Sequence, residues 1–276
     1  MSIHSYYHGK TILITGAASG IGKRFAEKVS EFNQVTLILW DRNPDLLQQI
    51  KERLAAKADT HIANIDISDK DRIALEGDHL IKENLTPDII INCAGIVVGK
   101  YFHEHTADDI ERTMIINTLG SMWVVHAFIN QMIDRRSGHI VNIGSASGYI
   151  GNPKMSVYAS SKWSILGWSE SLRIEMNNLK TGIHVTTVIP SYIDTGMFDG
   201  VRPPLLTPIL TTDQIVDKMI NGIAKKKSEI KAPFIVRFVP LLKAILPKSI
   251  FDKLAGNILG VYTSMESFKG RKPKSE

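Results

Sequence analysis

Residues 10–22 read KTILITGAASGIG, and this stretch decides the fold. Its first part, 11–15, is a short β-branched run typical of a buried parallel strand. Its second part spaces three glycines as Gly-x-x-x-Gly-x-Gly, and the residues that follow have helical periodicity. Such glycines let the backbone approach a pyrophosphate, and the helix N-terminus supplies free N–H groups. A phosphate-transferring P-loop fits poorly, because Ala17 and Arg24 stand where Gly and Ser or Thr are required.

The rest of the chain repeats the alternation of apolar runs and amphipathic helical stretches. We predict an α/β fold: a single-domain, Rossmann-type, doubly wound and mostly parallel seven-stranded sheet with helices on both faces, spanning 1–276. Ligands then collect at the carboxyl ends of the strands. The candidate strands are 11–15, 35–40, 61–64, 89–92, 139–143, 184–189 and, as the seventh, 230–236, and the long helices are 107–136 and 157–180.

Composition and charge restrict the class of protein. The single cysteine, Cys93, excludes an internal disulfide framework and is interpreted as a core thiol. No signal sequence or apolar run of membrane-spanning length is evident, so we expect a soluble, cytoplasmic protein. Residues 225–276 contain 12 Lys and Arg but 4 Asp and Glu. Without a recognition motif this excess does not indicate nucleic-acid binding, and we interpret it as a solvated surface with a disordered tail at 269–276.

Ser145, Tyr158 and Lys162 form the most informative constellation for chemistry. A phenol with a pKa near ~10 is a weak base at neutral pH. Lys162 follows Tyr158 by four residues, hence on the same helical face, where its positive charge favours the phenolate. Ser145 can then hold the reacting oxygen. The three residues predict proton transfer in alcohol and carbonyl chemistry, which requires a partner that takes or gives a hydride.

Taken together, these motifs resemble the short-chain dehydrogenase/reductase family, in its single-domain branch, from about residue 10 to 195. The resemblance rests on the glycine turn of 15–22, on Asn92-Cys93-Ala94-Gly95, and on Asn117, Ser145 and the YASSK segment at 158–162. The segments 37–41 and 264–268 are similar to the retinol and 17-beta-hydroxysteroid dehydrogenase-like branch.

The resemblance implies the catalytic roles. Tyr158 is the acid/base, Lys162 lowers its pKa and anchors the nicotinamide ribose, and Ser145 hydrogen-bonds the substrate oxygen. Asn117 shapes a proton relay through water to Lys162, although a buried asparagine is also explained as a satisfied core amide.

Cofactor selection is expected at Asp41, at the end of the second strand. Its carboxylate can accept hydrogen bonds from ribose hydroxyls and repel a 2′-phosphate, which favours NAD over NADP, whereas Arg42 favours the opposite. By resemblance Asp66 and Ile67 contact the adenine, and Ile193 and Thr195 hold the nicotinamide carboxamide. Asp66 or Ser68 is also expected to begin the next helix, and the two roles are compatible. The predicted cofactor-binding residues are Gly16, Ser19, Gly20, Ile21, Gly22, Asp41, Arg42, Asp66, Ile67, Asn92, Ala94, Gly95, Tyr158, Lys162, Pro190, Ile193 and Thr195.

Apolar residues near these motifs predict a pocket for an apolar substrate. We predict 196–212 to be a substrate lid and 230–276 an apolar and basic C-terminal extension. Within the extension, 233–247 covers the pocket, packs at a subunit interface or lies on an anionic membrane surface, and the sequence leaves these alternatives open. No metal site is expected, since His103 and His105 lie on a polar loop. The predicted substrate contacts are Ser145, Tyr149, Met155, Tyr192, Met197 and Phe198.

The sequence thus favours an NAD-dependent oxidoreductase that interconverts an apolar secondary alcohol, or a retinoid- or steroid-like alcohol, with its carbonyl. Two alternatives stay open: an NADPH-dependent ketone or 3-oxoacyl reductase, and a catalytically silent cofactor-sensing or scaffold protein. Family resemblance implies a homodimer or homotetramer.

Overall fold

A computed structural model of the chain describes residues 2–270. Its main sheet has seven parallel strands in the order β3-β2-β1-β4-β5-β6-β9, and a short parallel pair joins β7 to β8. The predicted doubly wound, Rossmann-type fold is confirmed. The strands are β1 Thr11–Thr15, β2 Thr36–Asp41, β3 Asp59–Asn64, β4 Ile89–Asn92, β5 Gly138–Ile143, β6 Ile183–Pro190, β7 Ile193–Asp194, β8 Leu210–Thr211 and β9 Glu229–Ala232.

Helices cover both faces of the sheet, because consecutive side chains of each central strand point into different cores. In β1, Ile12 and Ile14 face one core while Leu13 faces the other. The first core is closed by α1, α2, α3 and α8, and the second by α4, α6 and α7. The helices are α1 Ile3–Tyr7, α2 Gly20–Val29, α3 Pro44–Leu54, α4 Lys70–Lys82, α5 Ala107–Met114, α6 Gly120–Asp134, α7 Ser156–Asn178, α8 Thr212–Ala224, α9 Val239–Ile245 and α10 Lys248–Asp252.

Two predicted elements are corrected by the structure. The seventh strand ends at Ala232 rather than 236, because Pro233 has no N–H for a ladder and a 3₁₀ helix, Phe234–Phe238, follows. The predicted helix 107–136 is divided into α5 and α6 by a π-helical turn, Ile115–Leu119. Helical periodicity alone does not reveal such a turn, which adds one residue between hydrogen-bonded partners.

The chain after β9 builds a separate layer beside the carboxyl ends of the strands. The 3₁₀ helix 234–238 leads into α9 and α10, and a π-helical turn, Lys253–Ile258, precedes the return of 264–270 toward the sheet. None of the helices within residues 2–270 combines the length and the apolar character needed to cross a bilayer. Residues 271–276 of the predicted tail lie outside the described residues.

The sheet order reverses between β1 and β4, the central neighbours from which it winds in both directions. The loops that leave these strands must diverge there, which opens a crevice at the carboxyl edge. A cleft of about 670 Å³ occupies this position.

Candidate active site

The glycine turn between β1 and α2 forms one end of the cleft. Gly16 has a φ of +65°, and a Cβ on it would lie 2.8 Å from the Cα of Ala94. Gly20 has a φ of +54°, and a Cβ there would lie 3.2 Å from the Thr195 side chain. Both glycines leave room that any side chain would fill. Gly22 differs, since a side chain on it would collide with the Gly16 carbonyl oxygen, so its role is to pack the turn against α2.

Thr15 holds this turn against the end of β4. Its hydroxyl oxygen accepts hydrogen bonds from the backbone N–H groups of Cys93, at 3.1 Å, and Ala94, at 3.2 Å. No site role was predicted for Thr15. Its position could have indicated this role, because Thr15 is the last residue of a strand before a glycine turn. A hydroxyl there lies beside the neighbouring strand and can bond to its backbone.

Asp41 lies where β2 ends and lines the cleft together with Arg42. One carboxylate oxygen accepts from the N–H of Ala18, at 3.0 Å, and the other accepts from the N–H of Asn43, at 3.0 Å. These bonds fix the carboxylate next to the glycine turn. The side-chain oxygens keep further lone pairs for ribose hydroxyls.

Asp66 and Ile67 line the same half of the cleft. An Asp66 carboxylate oxygen accepts from the N–H of Ser68, at 2.9 Å, and from its hydroxyl, at 2.7 Å. The helix that follows is capped by Asp69, whose carboxylate accepts from the N–H groups of Asp71 and Arg72. The prediction that Asp66 or Ser68 begins this helix is therefore wrong.

Tyr158 and Lys162 extend from one face of α7 at the opposite end of the cleft, and Ser145 follows β5. The Ser145 hydroxyl accepts from the N–H of Ser147, at 3.1 Å, and is close enough to the Tyr158 phenol to influence its pKa. The ammonium nitrogen of Lys162 lies 5.7 Å from the centre of the Tyr158 ring and donates to the carbonyl of Ile143, at 2.8 Å. The three side chains are buried, which brings the predicted proton-transfer group together at a single place.

Burial governs the ionisation of these groups. It raises the pKa of Tyr158, against which Ser145 acts in the lowering direction. It also lowers the pKa of Lys162 to about 8. The pKa of Cys93 is raised to about 12 by burial, so its thiol is protonated at neutral pH. Cys93 packs against the first core but is only half-buried and lines the cleft, which corrects its interpretation as a core thiol.

Asn117 lies in the π-helical turn and faces α7. Its Oδ1 accepts from the N–H of Ile96, at 2.8 Å, and its Nδ2 donates to the Ile96 carbonyl, at 2.9 Å, and to the Ser161 hydroxyl, at 3.0 Å. The amide is thus satisfied as a core group. It also fixes the 95–97 loop beside Lys162, since a Cβ on Gly95 would lie 3.8 Å from the lysine nitrogen.

Asn92 belongs to the sheet rather than to the cleft. Its Nδ2 donates to the Asn142 side chain, at 2.8 Å, and to the Ser121 carbonyl, at 3.4 Å, while Asn142 donates to Ser169, at 2.9 Å. This buried chain of amides joins two strands to two helices. Its predicted place as a cofactor neighbour is therefore corrected to a structural one, whereas Ala94 and Gly95 do line the cleft.

The segment after β6 contributes Pro190, Ile193 and Thr195 to the cleft. Ile193 and Asp194 form β7, which pairs with β8 at Leu210 and Thr211. This pairing joins the two ends of the predicted lid, 196–212, into a closed loop.

Beyond Ser145 a second, apolar cavity of about 100 Å³ begins, with Tyr192 and Phe198 in its wall. Phe198 also lines the main cleft together with Met197, and its ring lies edge-on to Tyr158 at 6.0 Å. Two of the predicted substrate contacts, Tyr149 and Met155, line neither cavity.

Tyr149 is directed away from both cavities. Its hydroxyl donates to a carboxylate oxygen of Glu229, at 2.9 Å, and Lys231 lies over its ring. Met155 is almost fully buried behind Tyr158, where it packs with Val201. Both residues are close in sequence to Ser145 and Tyr158, which is why they were predicted to contact the substrate. The direction of their side chains, however, depends on tertiary packing.

The main wall that sequence reasoning missed comes from the C-terminal residues. Phe268 lines the cleft and packs so closely on Gly99 that a side chain there would collide with its ring. The segment is held by backbone N–H groups, Arg202 donating to Ser264 at 3.0 Å and Lys269 donating to Asp199 at 2.9 Å. It thus ties the predicted lid to the loop after β4. From the sequence, 264–268 indicated only a resemblance to one branch of the family. Its residues contain no motif that predicts contact with the site.

Within residues 2–270 no set of three or more His, Cys, Asp and Glu side chains is arranged to hold a metal ion. The cleft instead fits a nicotinamide dinucleotide. At the turn, Gly16 and Gly20 leave space that a side chain would fill. The Asp41 carboxylate is fixed at the end of β2, where this fold places the ribose of a dinucleotide. Tyr158 and Lys162 lie at the opposite end of the cleft. Fold and site together define a dinucleotide-binding oxidoreductase.

Comparisons with known proteins agree with this class. The family model described as short chain dehydrogenase matches residues 10–205. Epidermal retinol dehydrogenase 2 of Mus musculus is 35% identical over 272 residues, covering 97% of this chain and 87% of that protein. Estradiol 17-beta-dehydrogenase 11 of Macaca fascicularis is 31% identical over 254 residues, covering 91% and 83%.

Solved structures give the same answer for the fold. A short chain dehydrogenase/reductase from Burkholderia phymatum in complex with NAD superimposes with a TM-score of 0.78 at 23% identity, covering 87% of this chain and 94% of that one. A short-chain dehydrogenase from Sphingobium yanoikuyae in complex with NADPH gives 0.76 at 27% identity, covering 87% and 97%. The chain belongs to the short-chain dehydrogenase/reductase family and is an oxidoreductase that uses a nicotinamide cofactor.

Proposed function

We propose that the protein uses NAD to interconvert an apolar secondary alcohol and its carbonyl, with Tyr158 as the acid/base. The observation that carries this proposal is the joint placement of Ser145, Tyr158 and Lys162 at the point where the cofactor cleft meets the apolar cavity. A catalytically silent sensor or scaffold would not require a serine and a tyrosine buried together beside a buried lysine.

The preference for NAD is inferred from Asp41. Its carboxylate lies beside the glycine turn, where it would accept hydrogen bonds from ribose hydroxyls and repel a 2′-phosphate. Arg42 is exposed and also lines the cleft, so it supports the alternative of an NADPH-dependent ketone or 3-oxoacyl reductase. We favour NAD because two backbone N–H groups hold the aspartate in place.

The chemistry follows from what each side chain can do. When bound, the nicotinamide accepts or supplies a hydride. In oxidation Tyr158, as phenolate, removes the alcohol proton, and in reduction its phenol returns the proton to the carbonyl oxygen. Ser145 holds the reacting oxygen by a hydrogen bond, and the positive charge of Lys162 favours the phenolate. Asn117, which fixes the 95–97 loop, would position water for a relay to Lys162.

The substrate is proposed to be elongated and apolar. Phe198, Tyr192 and Phe268 form the walls that face Tyr158, and the second cavity extends the site past Ser145. An apolar alcohol of retinoid or steroid-like size would occupy both spaces. The names of the similar proteins, a retinol and an estradiol dehydrogenase, point to the same substrate class.

Cofactor binding tests the proposal directly. We would titrate NADH and NADPH separately into the protein, follow nicotinamide fluorescence, and then assay apolar secondary alcohols with NAD. We expect NADH to bind about tenfold or more tightly than NADPH, since one repelled phosphate corresponds to roughly 1.4 kcal/mol or more. Asp41→Ala should reduce this ratio, whereas Asp45→Ala, which removes a nearby exposed carboxylate on α3, should leave it unchanged.

Other outcomes separate the alternatives. Tighter NADPH binding would assign the dominant role to Arg42 and favour ketone reduction. Binding of neither nucleotide would contradict the proposal as a whole. We further propose a homodimer or homotetramer, which light scattering of the same preparation measures.

A further inference from the structure

The C-terminal extension contains a helical segment with apolar residues on two opposite sides. On the inner side, Val236, Val239 and Leu242 line the second cavity. On the outer side, four large apolar side chains follow one another along residues 234–245, which we call the outer stripe. They are Phe234, Phe238, Leu241 and Ile245, with exposed fractions of 65, 39, 54 and 68%.

The geometry of the outer stripe is continuous. The rings of Phe234 and Phe238 lie 5.3 Å apart, and α9 then places Leu241 and Ile245 one turn from each other. Surface helices normally direct such a stripe into the core. Here the core-facing role is already filled by the inner side, so the outer stripe requires an apolar partner outside the molecule.

The predicted lid also carries exposed apolar residues, and it lines the same cavity as the inner side of the helical segment. Leu205 and Leu206 are 60 and 64% exposed, and the N–H of Leu205 donates to the Leu259 carbonyl at 2.8 Å. Leu205 also lines the second cavity, so the cavity reaches the surface at this point. The mouth of the cavity is therefore bordered by exposed apolar side chains.

Charge indicates which partner the outer stripe contacts. Lys and Arg are the prevailing charged residues of the same segment, 234–258: Arg237, Lys248 and Lys253, together with Lys243, whose ammonium group is instead directed to the Tyr149 carbonyl at 2.9 Å. The single acidic residue of this segment, Asp252, accepts a hydrogen bond from Tyr262. A second copy of this chain would bring the same cations against them, which is repulsive. An anionic lipid surface complements both the apolar and the basic character.

We propose that the outer stripe lies on an anionic membrane surface and that the apolar substrate passes from the bilayer, at Leu205, into the cavity that ends at Ser145. The delivery step rests on the proposed function, whereas the docking step does not. In this arrangement Tyr158 receives the substrate from the lipid side, and the cofactor cleft keeps its own opening at the strand ends.

Vesicle sedimentation tests the docking step. We would mix the full chain with phosphatidylcholine vesicles that either contain or lack phosphatidylserine. We expect binding to be stronger with phosphatidylserine and to weaken about tenfold or more in Leu241→Ser/Ile245→Ser, because two apolar side chains lose their burial in lipid. The matched control is Leu75→Ser/Leu179→Ser, which removes two equally exposed leucines on other faces and should bind as the wild type does.

A second pair of variants tests how much the basic residues contribute to vesicle binding. Lys248→Glu/Lys253→Glu should weaken binding to the phosphatidylserine vesicles by about tenfold or more, because two cations that are attracted to the anionic surface become anions that it repels. Lys51→Glu/Lys82→Glu makes the same change in net charge on other helices and should bind as the wild type does. Equal losses in both pairs would attribute binding to net charge and overturn the docking site.

Three further outcomes would overturn the proposal: absence of wild-type binding to either vesicle, unchanged binding of the stripe variant, or conversion of a wild-type oligomer to monomer by the stripe variant with no effect on lipid binding. The last outcome would identify an interface between copies. Cofactor titration confirms that each variant is folded, since no substituted residue lines the cofactor cleft.

Delivery is tested with two alcohols. The stripe variant should turn over a long-chain alcohol dissolved in vesicles about tenfold more slowly, and a short water-soluble secondary alcohol at the wild-type rate. Equal turnover of the vesicle-borne alcohol by both proteins would overturn delivery. Vesicle binding without turnover of either alcohol by the wild type would instead contradict the proposed function and leave the docking site supported.

Discussion

Tyr158 and Lys162 share a buried environment that opposes charge on either side chain. Burial raises the pKa of the phenol and lowers that of the ammonium group to about 8. Lys162, with its pKa of about 8, still carries its charge at pH 7, and an ammonium group next to the phenol lowers the cost of burying a phenolate. Ser145 acts in the same direction on the pKa of Tyr158. We therefore expect the ionisation of Tyr158 to depend on the charge of Lys162.

Substitution of Lys162 should make this burial measurable. The pKa of Lys162 in the folded protein, about 8, lies below its ordinary value of 10.5, so between these values the unfolded chain binds a proton that the folded chain does not. The free energy of unfolding should therefore rise with pH across this window, by up to about 1.4 kcal/mol per pH unit. Lys162→Met should lack this rise. Urea unfolding of both proteins across the window measures it, and a constant difference between them would contradict burial of the ammonium group.

Tyr158→Phe tests the acid/base assignment. Removal of the hydroxyl should lower turnover about 10³-fold, within the range of general acid–base catalysis, and leave NADH affinity nearly unchanged. Tyr149→Phe is the matched control, because its hydroxyl contacts Glu229 outside both cavities, and its turnover should stay near that of the wild type. Substantial turnover by Tyr158→Phe would assign the proton transfer to another group.

At the level of elements, helices and loops that are distant in the chain supply the walls of the site. The π-helical turn places Asn117 against α7, the β7–β8 pair closes the loop of 196–212, and residues 264–270 lie across the cleft. The loop of 196–212 and residues 264–270 form walls of the cleft. Their effect on the reaction should therefore appear in substrate selection, whereas that of Asn117 should appear in turnover.

Phe268→Ala should change which alcohols are accepted. Loss of the ring removes part of the wall that Phe268 forms together with Phe198. The ratio of kcat/KM for bulky to small secondary alcohols should therefore increase about tenfold. This corresponds to the burial of roughly one to two additional methylene groups of the substrate. Gly99→Ala should shift the ratio in the same direction, because the added methyl displaces the same ring. Phe102→Ala, an exposed phenylalanine of the same loop region, serves as the control. An unchanged ratio in Phe268→Ala would show that the C-terminal segment does not contact the substrate.

At the scale of the whole molecule, the cleft joins the two halves of the sheet. Asp41 and Asp66 lie on the β2–β3 side, whereas Ser145 and Pro190 lie on the β5–β6 side. A dinucleotide that spans the cleft contacts both halves, so its binding should stabilise the chain as a unit.

Thermal unfolding tests this linkage. NADH at a hundredfold excess over its Kd should add about 2.7 kcal/mol to the free energy of unfolding, which corresponds to a Tm increase of roughly 5 °C for a chain of this size. The same concentration of NADPH should give a smaller increase if Asp41 selects NAD. Two separate transitions with NADH, of which one is unaffected, would contradict a cleft shared by both halves.

The local parts of the fold were predictable from sequence. Strands β1 to β6 were located within one or two residues, because buried parallel strands are continuous apolar runs. The grouping of Ser145, Tyr158 and Lys162 followed from helix spacing and family motifs. The exceptions were local interruptions: the π-helical turn at 115–119, and the end of the seventh strand at Pro233.

What the sequence by itself determined is the doubly wound sheet, the glycine turn and the residues predicted to transfer a proton, since each leaves a periodic pattern or a well-defined motif in the chain. Only the tertiary structure decided the rest. It placed Phe268 against Gly99, turned Tyr149 toward Glu229, and directed Val236 inward while Phe238 faces outward. Such choices depend on packing between segments far apart in sequence, where an apolar residue carries no local sign of the surface that it will meet.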